Sequence, residues 1–385
     1  MKCLRILSIV AGLIAVCVGV AYIRGFALLR DVATFSNRLT GFVGEPSNSE
    51  EYNAILRLLR LHPAAWRGAP VVSESAKDRS CPDMSFLRPR NTANEVLHAP
   101  NEDLEVPFVL TKFGEGDPDL TILYAHGGGM VTMCADMELP FSDRTAQNWM
   151  QQLNLPAIQI ASVDYRLLPE STMEDALSDF LAVYQHLLKS HHVAPETVVF
   201  TGCSGGGSMA LFSYMQLLRL GDWPKPGLVV SNSPGPGLEF SPAFPGWENT
   251  EQWRSNNGSS SCFMFTREAG RQWGLEWDEE SAQTLGKWLA DRDLVARIDE
   301  RVIVTSAQHE MFAAPHDSFA QYAREAGATF RYLSFPNRTH CMQAGVFALT
   351  TGRDGQQDLA RLFGVVRKVL GVGATRSRGG NDGEQ

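Results

Sequence analysis

Past about Val106 the chain settles into a rhythm of short apolar runs. They fall at residues 120–124, 157–163, 197–200, 228–230, 302–305 and 330–335. Each is too short for a helix and is bounded by turn-forming or polar residues, which reads as a buried strand. Between several of them apolar positions recur at helical spacing, at residues 176–188, 208–220, 318–326 and 359–370. Strand and helix in alternation require crossover connections, so the expected fold class is α/β, a mostly parallel sheet covered on both faces by helices. The block 234–287 breaks the rhythm. It holds Trp247, Trp253, Trp273 and Trp277 among polar residues and reads as an insertion over the sheet edge.

Residues 31–105 are irregular in pattern, with turn-formers around 44–48 and 82–91. Within them, Ile55, Leu56, Leu58, Leu59 and Leu61 space out a short amphipathic helix, read as part of an N-terminal cap. Residues 106–371 form the expected main domain, and the polar tail 372–385 lacks an apolar face to bury. At the other end, 18 consecutive positions from Ile6 to Ile23 carry no charge, with Lys2 and Arg5 before them and Arg24 and Arg30 after. As a helix this stretch spans about 27 Å, enough for a thin bilayer. Residues 1–30 are therefore expected to be a membrane signal-anchor, with a cleaved signal peptide as the rival because Gly19-Val20-Ala21 offers small residues for cleavage. Both readings send the chain into the secretory pathway. Two glycosylation triplets, at Asn257 and Asn337, are candidates in such a compartment.

Composition narrows the field further. The 385 residues are 44% hydrophobic and 20% charged, which excludes a chain dominated by disorder. A net charge of −9 argues against a nucleic-acid partner, whose phosphates require a basic face. The 7 cysteines (3, 17, 81, 134, 203, 262 and 341) contain no C-x-x-C pair and are too scattered for a disulfide-stapled mini-fold or a zinc cluster; one or two disulfides fit. His186, His191 and His192 read as a surface cluster, since their spacing gathers no ligand set.

The strongest chemical signal is Gly202-Cys203-Ser204-Gly205-Gly206, a G-x-S-x-G between the strand at 197–200 and the helix beginning near Ser208. A sharp strand-to-helix turn forces the central residue into a strained backbone, and glycines clear space around it. Ser204 is thereby a candidate nucleophile; a Walker-type phosphate loop would need a lysine that Gly207-Ser208 lacks. His126-Gly127-Gly128-Gly129 follows the strand at 120–124, and its backbone N–H groups suit an oxyanion. An activated serine also needs a base and an acid. Of the three histidines after Ser204, His309 and His316 follow the strand where an acid is expected, whereas His340 follows the last strand and a turn. His340 is the candidate base. Glu310, just past the strand at 302–305, is the candidate acid. Asp317 is its rival, although a place just before a helix makes it look like an N-cap.

Together, His126–Gly129, Val163-Asp164-Tyr165-Arg166-Leu167-Leu168-Pro169-Glu170 and Gly202–Gly206 resemble the hormone-sensitive-lipase branch of the α/β-hydrolase fold, over about residues 120–371. The resemblance implies a carboxylic ester hydrolase with Ser204, His340 and Glu310 as catalytic residues. It implies oxyanion donors at Gly128, Gly129 and Gly205, and no metal or organic cofactor. It gives Tyr165-Arg166 a structural role, bracing the loops around the site. It also suggests a small hydrophobic ester substrate, a short acyl chain on a lipophilic alcohol such as a sterol or lipid acetate. Three positions depart from the family pattern. Cys203 stands where an acidic or polar residue is usual, Gly205 where alanine is usual, and Ala313 where an arginine follows the acid motif. The same machinery would serve an amidase or a lactonase, and a binding protein that kept the fold without turnover is the reading from another class.

Overall fold

The computed structural model describes residues 94–371, apart from 132, 136–141, 169–170, 247–248, 251–278, 309, 311, 337, 339 and 342–352. The expected membrane segment, the cap region before residue 94, all four tryptophans of the insertion, the asparagines of both glycosylation triplets and the tail lie outside the described residues.

Eight strands form one sheet in the order β1-β2-β4-β3-β5-β6-β7-β8. They are β1 (Asn94–Asn101), β2 (Leu104–Gly114), β3 (Leu120–Ala125), β4 (Ala157–Val163), β5 (Val198–Cys203), β6 (Leu228–Asn232), β7 (Val302–Ala307) and β8 (Arg331–Phe335). β1 pairs antiparallel with β2 and β2 with β4; every other pairing is parallel. The helices are α1 (Ser142–Leu153), α2 (Met173–Ser190), α3 (Gly205–Leu220), α4 (Glu279–Ala290), α5 (Arg292–Ala296), α6 (Ala313–Ala326) and α7 (Arg353–Leu370).

Two apolar layers hold the sheet, and strand alternation assigns residues to each. Leu123 and Ala125 of β3 join Phe180, Leu211 and Phe319 from α2, α3 and α6 on one face. Ile122 and Tyr124 join Trp149 of α1 and Phe363 of α7 on the other. Successive side chains on a strand point to opposite faces, so strands β3, β4, β5, β6 and β7 are mostly apolar and buried along their whole length, with a few buried polar residues such as Gln159 and Thr201 held by hydrogen bonds. Thr172 begins α2 with a reciprocal cap: its hydroxyl accepts from the Asp175 backbone, and the Asp175 carboxylate accepts from the Thr172 N–H.

The sheet starts earlier than its pattern suggested. β1 and the first residues of β2 fall inside the stretch read as irregular, because an edge hairpin is half exposed and carries Pro100 and Pro107. α1 is likewise a helix that the apolar pattern does not announce. α6 begins at Ala313, five residues before the expected start, so Asp317 lies inside the helix and is not its N-cap. Its carboxylate is exposed and accepts from the Tyr332 hydroxyl at 2.6 Å.

Candidate active site

The site lies at the carboxyl ends of the parallel strands, where successive crossovers leave a row of loops. Ser204 sits between the end of β5 and the start of α3, with φ 58° and ψ −124°. A non-glycine residue holds such a backbone only when its surroundings over-determine it. Here the surroundings are main chain. The Ser204 N–H donates to the Asn232 carbonyl at 3.0 Å, and its own carbonyl accepts from Gly235 at 3.2 Å and from Ser208 at 3.0 Å. A Cβ on Gly206 would lie 2.0 Å from the Ala125 carbonyl oxygen, and one on Gly202 would lie 2.4 Å from the same atom. β3, β5 and α3 therefore meet with no space for a side chain, which is why glycine surrounds the serine.

The histidine–glycine loop packs directly on this turn. A Cβ on Gly205 would stand 2.7 Å from the Met130 nitrogen and 2.8 Å from the Gly129 nitrogen. This closeness is the physical reason for glycine at a position where the resembled family prefers alanine. Gly128 and Gly129 take φ 91° and 65°, the left-handed region glycine tolerates best. Gly205 is the first residue of α3, so its N–H has no acceptor within the helix. Glycines 128, 129 and 205, named from sequence, are thus brought together beside Ser204.

His126 anchors that loop. Its ring stacks on Tyr165 with centroids 4.2 Å apart, and the Tyr165 hydroxyl donates to the His126 carbonyl at 2.8 Å. Burial lowers the His126 pKa to about 4, despite a hydrogen bond to the Gly127 carbonyl that works the other way, so the ring stays neutral. Arg166 binds Asp179 through Nε and Nη2 at 2.9 and 3.0 Å. Tyr165 and Arg166 thus brace the site's loops.

The base and the acid arrive from the next two strands. His340 follows β8, and its Nε2 lies 2.8 Å from the Ser204 Oγ. Its Nδ1 lies 2.7 Å from Oε2 of Glu310, which follows β7. With Nδ1–H donated to the carboxylate, Nε2 is left as an acceptor for the serine hydroxyl. The Ser204 Oγ is also 3.2 Å from the Gly235 carbonyl. Glu310 is wholly buried, while Ser204 and the His340 side chain keep 7% and 8% of their surface exposed.

Glu310 is held more elaborately than its position in the sequence suggested. Its Oε1 accepts from the Ala307 N–H at 2.7 Å and from the Ser306 hydroxyl at 3.1 Å, and it faces Nδ1 of His316 at 3.2 Å. The opposite nitrogen of His316 donates to the Pro234 carbonyl at 2.6 Å, one residue before the carbonyl that touches Ser204. Burial disfavours the charged carboxylate, but His316 and then His340 outweigh it and hold Glu310 below the ordinary carboxylate range. Burial also disfavours a charged His316, yet the facing Glu310 raises its pKa. His316 is a buried bridge between the acid and the loop cradling the serine. Nothing in the local sequence marked it, since a histidine six residues past Glu310 reaches back only once α6 has formed.

A second connection joins residues far apart in the sequence. Cys203 and Cys341 form a disulfide with Cα atoms 6.0 Å apart. In the sequence Cys203 stands out only as a departure before the serine, and the signal for the pairing is that both cysteines adjoin candidate catalytic residues. Cys134 is disulfide-bonded as well. Among the described residues, no group of three or more His, Cys, Asp or Glu side chains is placed to hold a metal ion.

The sequence pattern of an α/β-hydrolase-fold family matches residues 122–344, more than half of the chain, and the chain belongs to that family. A carboxylesterase/phospholipase, LipF, of Mycobacterium tuberculosis is 32% identical over 148 residues, which are 38% of this chain and 36% of that protein. The match thus spans only about a third of the curated relative's length. Among solved structures, an esterase/lipase from an uncultured bacterium aligns with a TM-score of 0.59 at 16% identity, over 82% of this chain and 97% of the other. A hormone-sensitive lipase from a metagenome library aligns at 0.58 and 19%, with the same coverage. At such identities these two establish the fold.

Proposed function

We propose that the protein is a serine hydrolase of carboxylic esters. The observation that carries this reading is the unbroken series from the Glu310 carboxylate through both nitrogens of His340 to the Ser204 hydroxyl, at 2.7 and 2.8 Å. Oγ attacks the ester carbonyl as its proton passes to Nε2 of His340, and Glu310 steadies the resulting imidazolium. The carbonyl oxygen becomes an oxyanion, facing the N–H groups of Gly128, Gly129 and Gly205. Preorganised donors of this kind typically lower the barrier by about 3 kcal/mol. Collapse expels the alcohol, which takes the proton from His340, and leaves an acyl-serine. Water, deprotonated by the same imidazole, then releases the acid and restores the hydroxyl.

The substrate proposed is a short-acyl ester of a hydrophobic alcohol, as the resemblance suggests, with sterol or lipid acetates as the leading class. An ester-hydrolysing relative, named a carboxylesterase/phospholipase, supports the reaction type. The apolar stretch at residues 6–23 supports a single-pass anchor that presents the domain to lipophilic substrates. Disulfides persist in oxidising compartments, so the cysteine bonds support placement on the lumenal or extracellular side. Among the described residues, no helix is long and apolar enough to cross a membrane.

The test is hydrolysis of p-nitrophenyl esters from acetate to palmitate by the full chain in detergent, beside Ser204→Ala. Turnover that declines with acyl length and is lost in the variant is the expected result. A labelled fluorophosphonate should mark wild type alone; equal marking of both would remove Ser204 from the mechanism.

A further inference from the structure

The base of the site hangs from a weakly supported part of the fold. β8 is five residues long and, among the described residues, pairs with β7 alone and is the last strand of the sheet. His340 lies beyond it in a turn, five residues from the strand's end. Edge elements and exposed connections open at lower cost than central ones. Acyl transfer, by contrast, is sensitive to misplacement of a catalytic group by as little as an ångström.

Against this stands one covalent bond. Cys203 immediately precedes Ser204, and Cys341 immediately follows His340, so the disulfide ties the neighbours of nucleophile and base across 138 residues of chain. Its two ends differ in kind. Cys203 is buried at the end of a central strand, in register with Asn232 of β6. Cys341 is only partly buried and stands at φ 61°, a left-handed backbone that a side-chain-bearing residue keeps only under constraint. The fixed end is at the serine and the constrained end at the histidine.

We propose that the Cys203–Cys341 disulfide is a positioning bond for the reaction: it straps the His340 turn to the Ser204 turn and keeps the imidazole within reach of Oγ. Turnover is then conditional on the oxidised pair, through placement of His340 and not through global stability. This also accounts for a cysteine where the resembled family carries an acidic or polar residue. The inference rests on the serine-hydrolase reading above.

The experiment compares oxidised and phosphine-reduced full-length protein. Tris(2-carboxyethyl)phosphine and one water convert the disulfide to two thiols and the phosphine to its oxide, and alkylation followed by peptide mass mapping identifies the bond opened. At a temperature where circular dichroism shows both forms folded, opening Cys203–Cys341 should slow fluorophosphonate labelling of Ser204 and reduce kcat on p-nitrophenyl acetate on the order of 10²-fold. KM should change less than about threefold, since a strap acts on the reacting groups and not on ground-state binding. Reoxidation with diamide should restore the rate, Cys341→Ala should show the low rate from the outset, and Cys134→Ala should retain the phosphine-induced fall. A folded, reduced enzyme labelled as fast as the oxidised one overturns the strap. So does a loss that tracks the Cys134 bond, or a Cys341→Ala variant whose melting temperature falls while kcat holds. Failure of the oxidised protein to react at all with the probe is a different result: it removes the hydrolase reading, and the strap with it.

Discussion

The serine side and the histidine side of the site are built by different means. Ser204 is fixed by backbone against backbone: Gly202, Gly206 and Gly207 press on the carbonyls of Ala125 and Asn232 at distances that exclude any side chain. His340 is fixed by side chains. Its Nδ1 meets Glu310, its neighbour Cys341 is bonded to Cys203, and Arg338 pairs with Asp358 of α7 at 2.6 Å. Main-chain packing depends on glycine at defined positions and tolerates no substitution. Side-chain ties can be loosened one at a time, so the histidine side is where rate and stability can be separated.

The largest break in that contrast is expected from Gly206→Ala. With the Ala125 oxygen 2.0 Å from the new methyl, the elbow cannot close, and the protein should lose roughly 4 kcal/mol or more or fail to fold; chemical denaturation reads this. Glu310→Gln tests the other side. It keeps the shape but removes the charge facing the imidazole, so kcat should fall on the order of 10³–10⁴-fold with the fold retained. A variant that turns over near the wild-type rate would exclude Glu310 as the acid.

His316→Ala sharpens the comparison by pH. Removing the bridge leaves the buried Glu310 with less compensation and should cost about 3 kcal/mol at pH 5.5. The sign follows from the raised pKa of His316. A raised folded value stabilises the protein fully below the ordinary histidine value of 6.5 and ceases to do so as pH climbs through the folded value. The stability gap between wild type and variant should therefore narrow towards pH 9. A gap that widens would mean the imidazole is neutral in the folded protein. Arg338→Met strands Asp358 in a nearly buried position and should cost about 2 kcal/mol, with a measurable fall in kcat because the broken tie is two residues from His340. Thr172→Ala is the smallest and serves as the remote control: loss of the α2 cap should cost about 1 kcal/mol and leave kcat unchanged.

Part of this protein is legible in its residues because the relevant physics is local. The strand at Ala157–Val163 has the boundaries its apolar run suggested, and the serine turn is readable because a strained elbow demands glycines beside it in the chain. The apolar alternation likewise requires a parallel sheet with two covered faces. Elements without that signature do not show in the pattern. β1 is half exposed and α1 lies in a stretch whose pattern did not stand out, so only the sheet gives them a place.

Tertiary structure decided what depends on distance in space. Glu310 and Asp317 are alternatives in the sequence; in space Glu310, after β7, lies against His340, whereas Asp317, inside α6, is exposed and pairs with Tyr332. His316 acquires a partner in Pro234 only because β6 and β7 are neighbours, with the loops after them facing each other. Cys203 and Cys341 looked scattered because 138 residues separate them, yet parallel crossovers return the chain to the same end of the sheet each time. Local sequence specifies conformation within a few residues. Which distant side chains share a site is set by the order in which the strands pair.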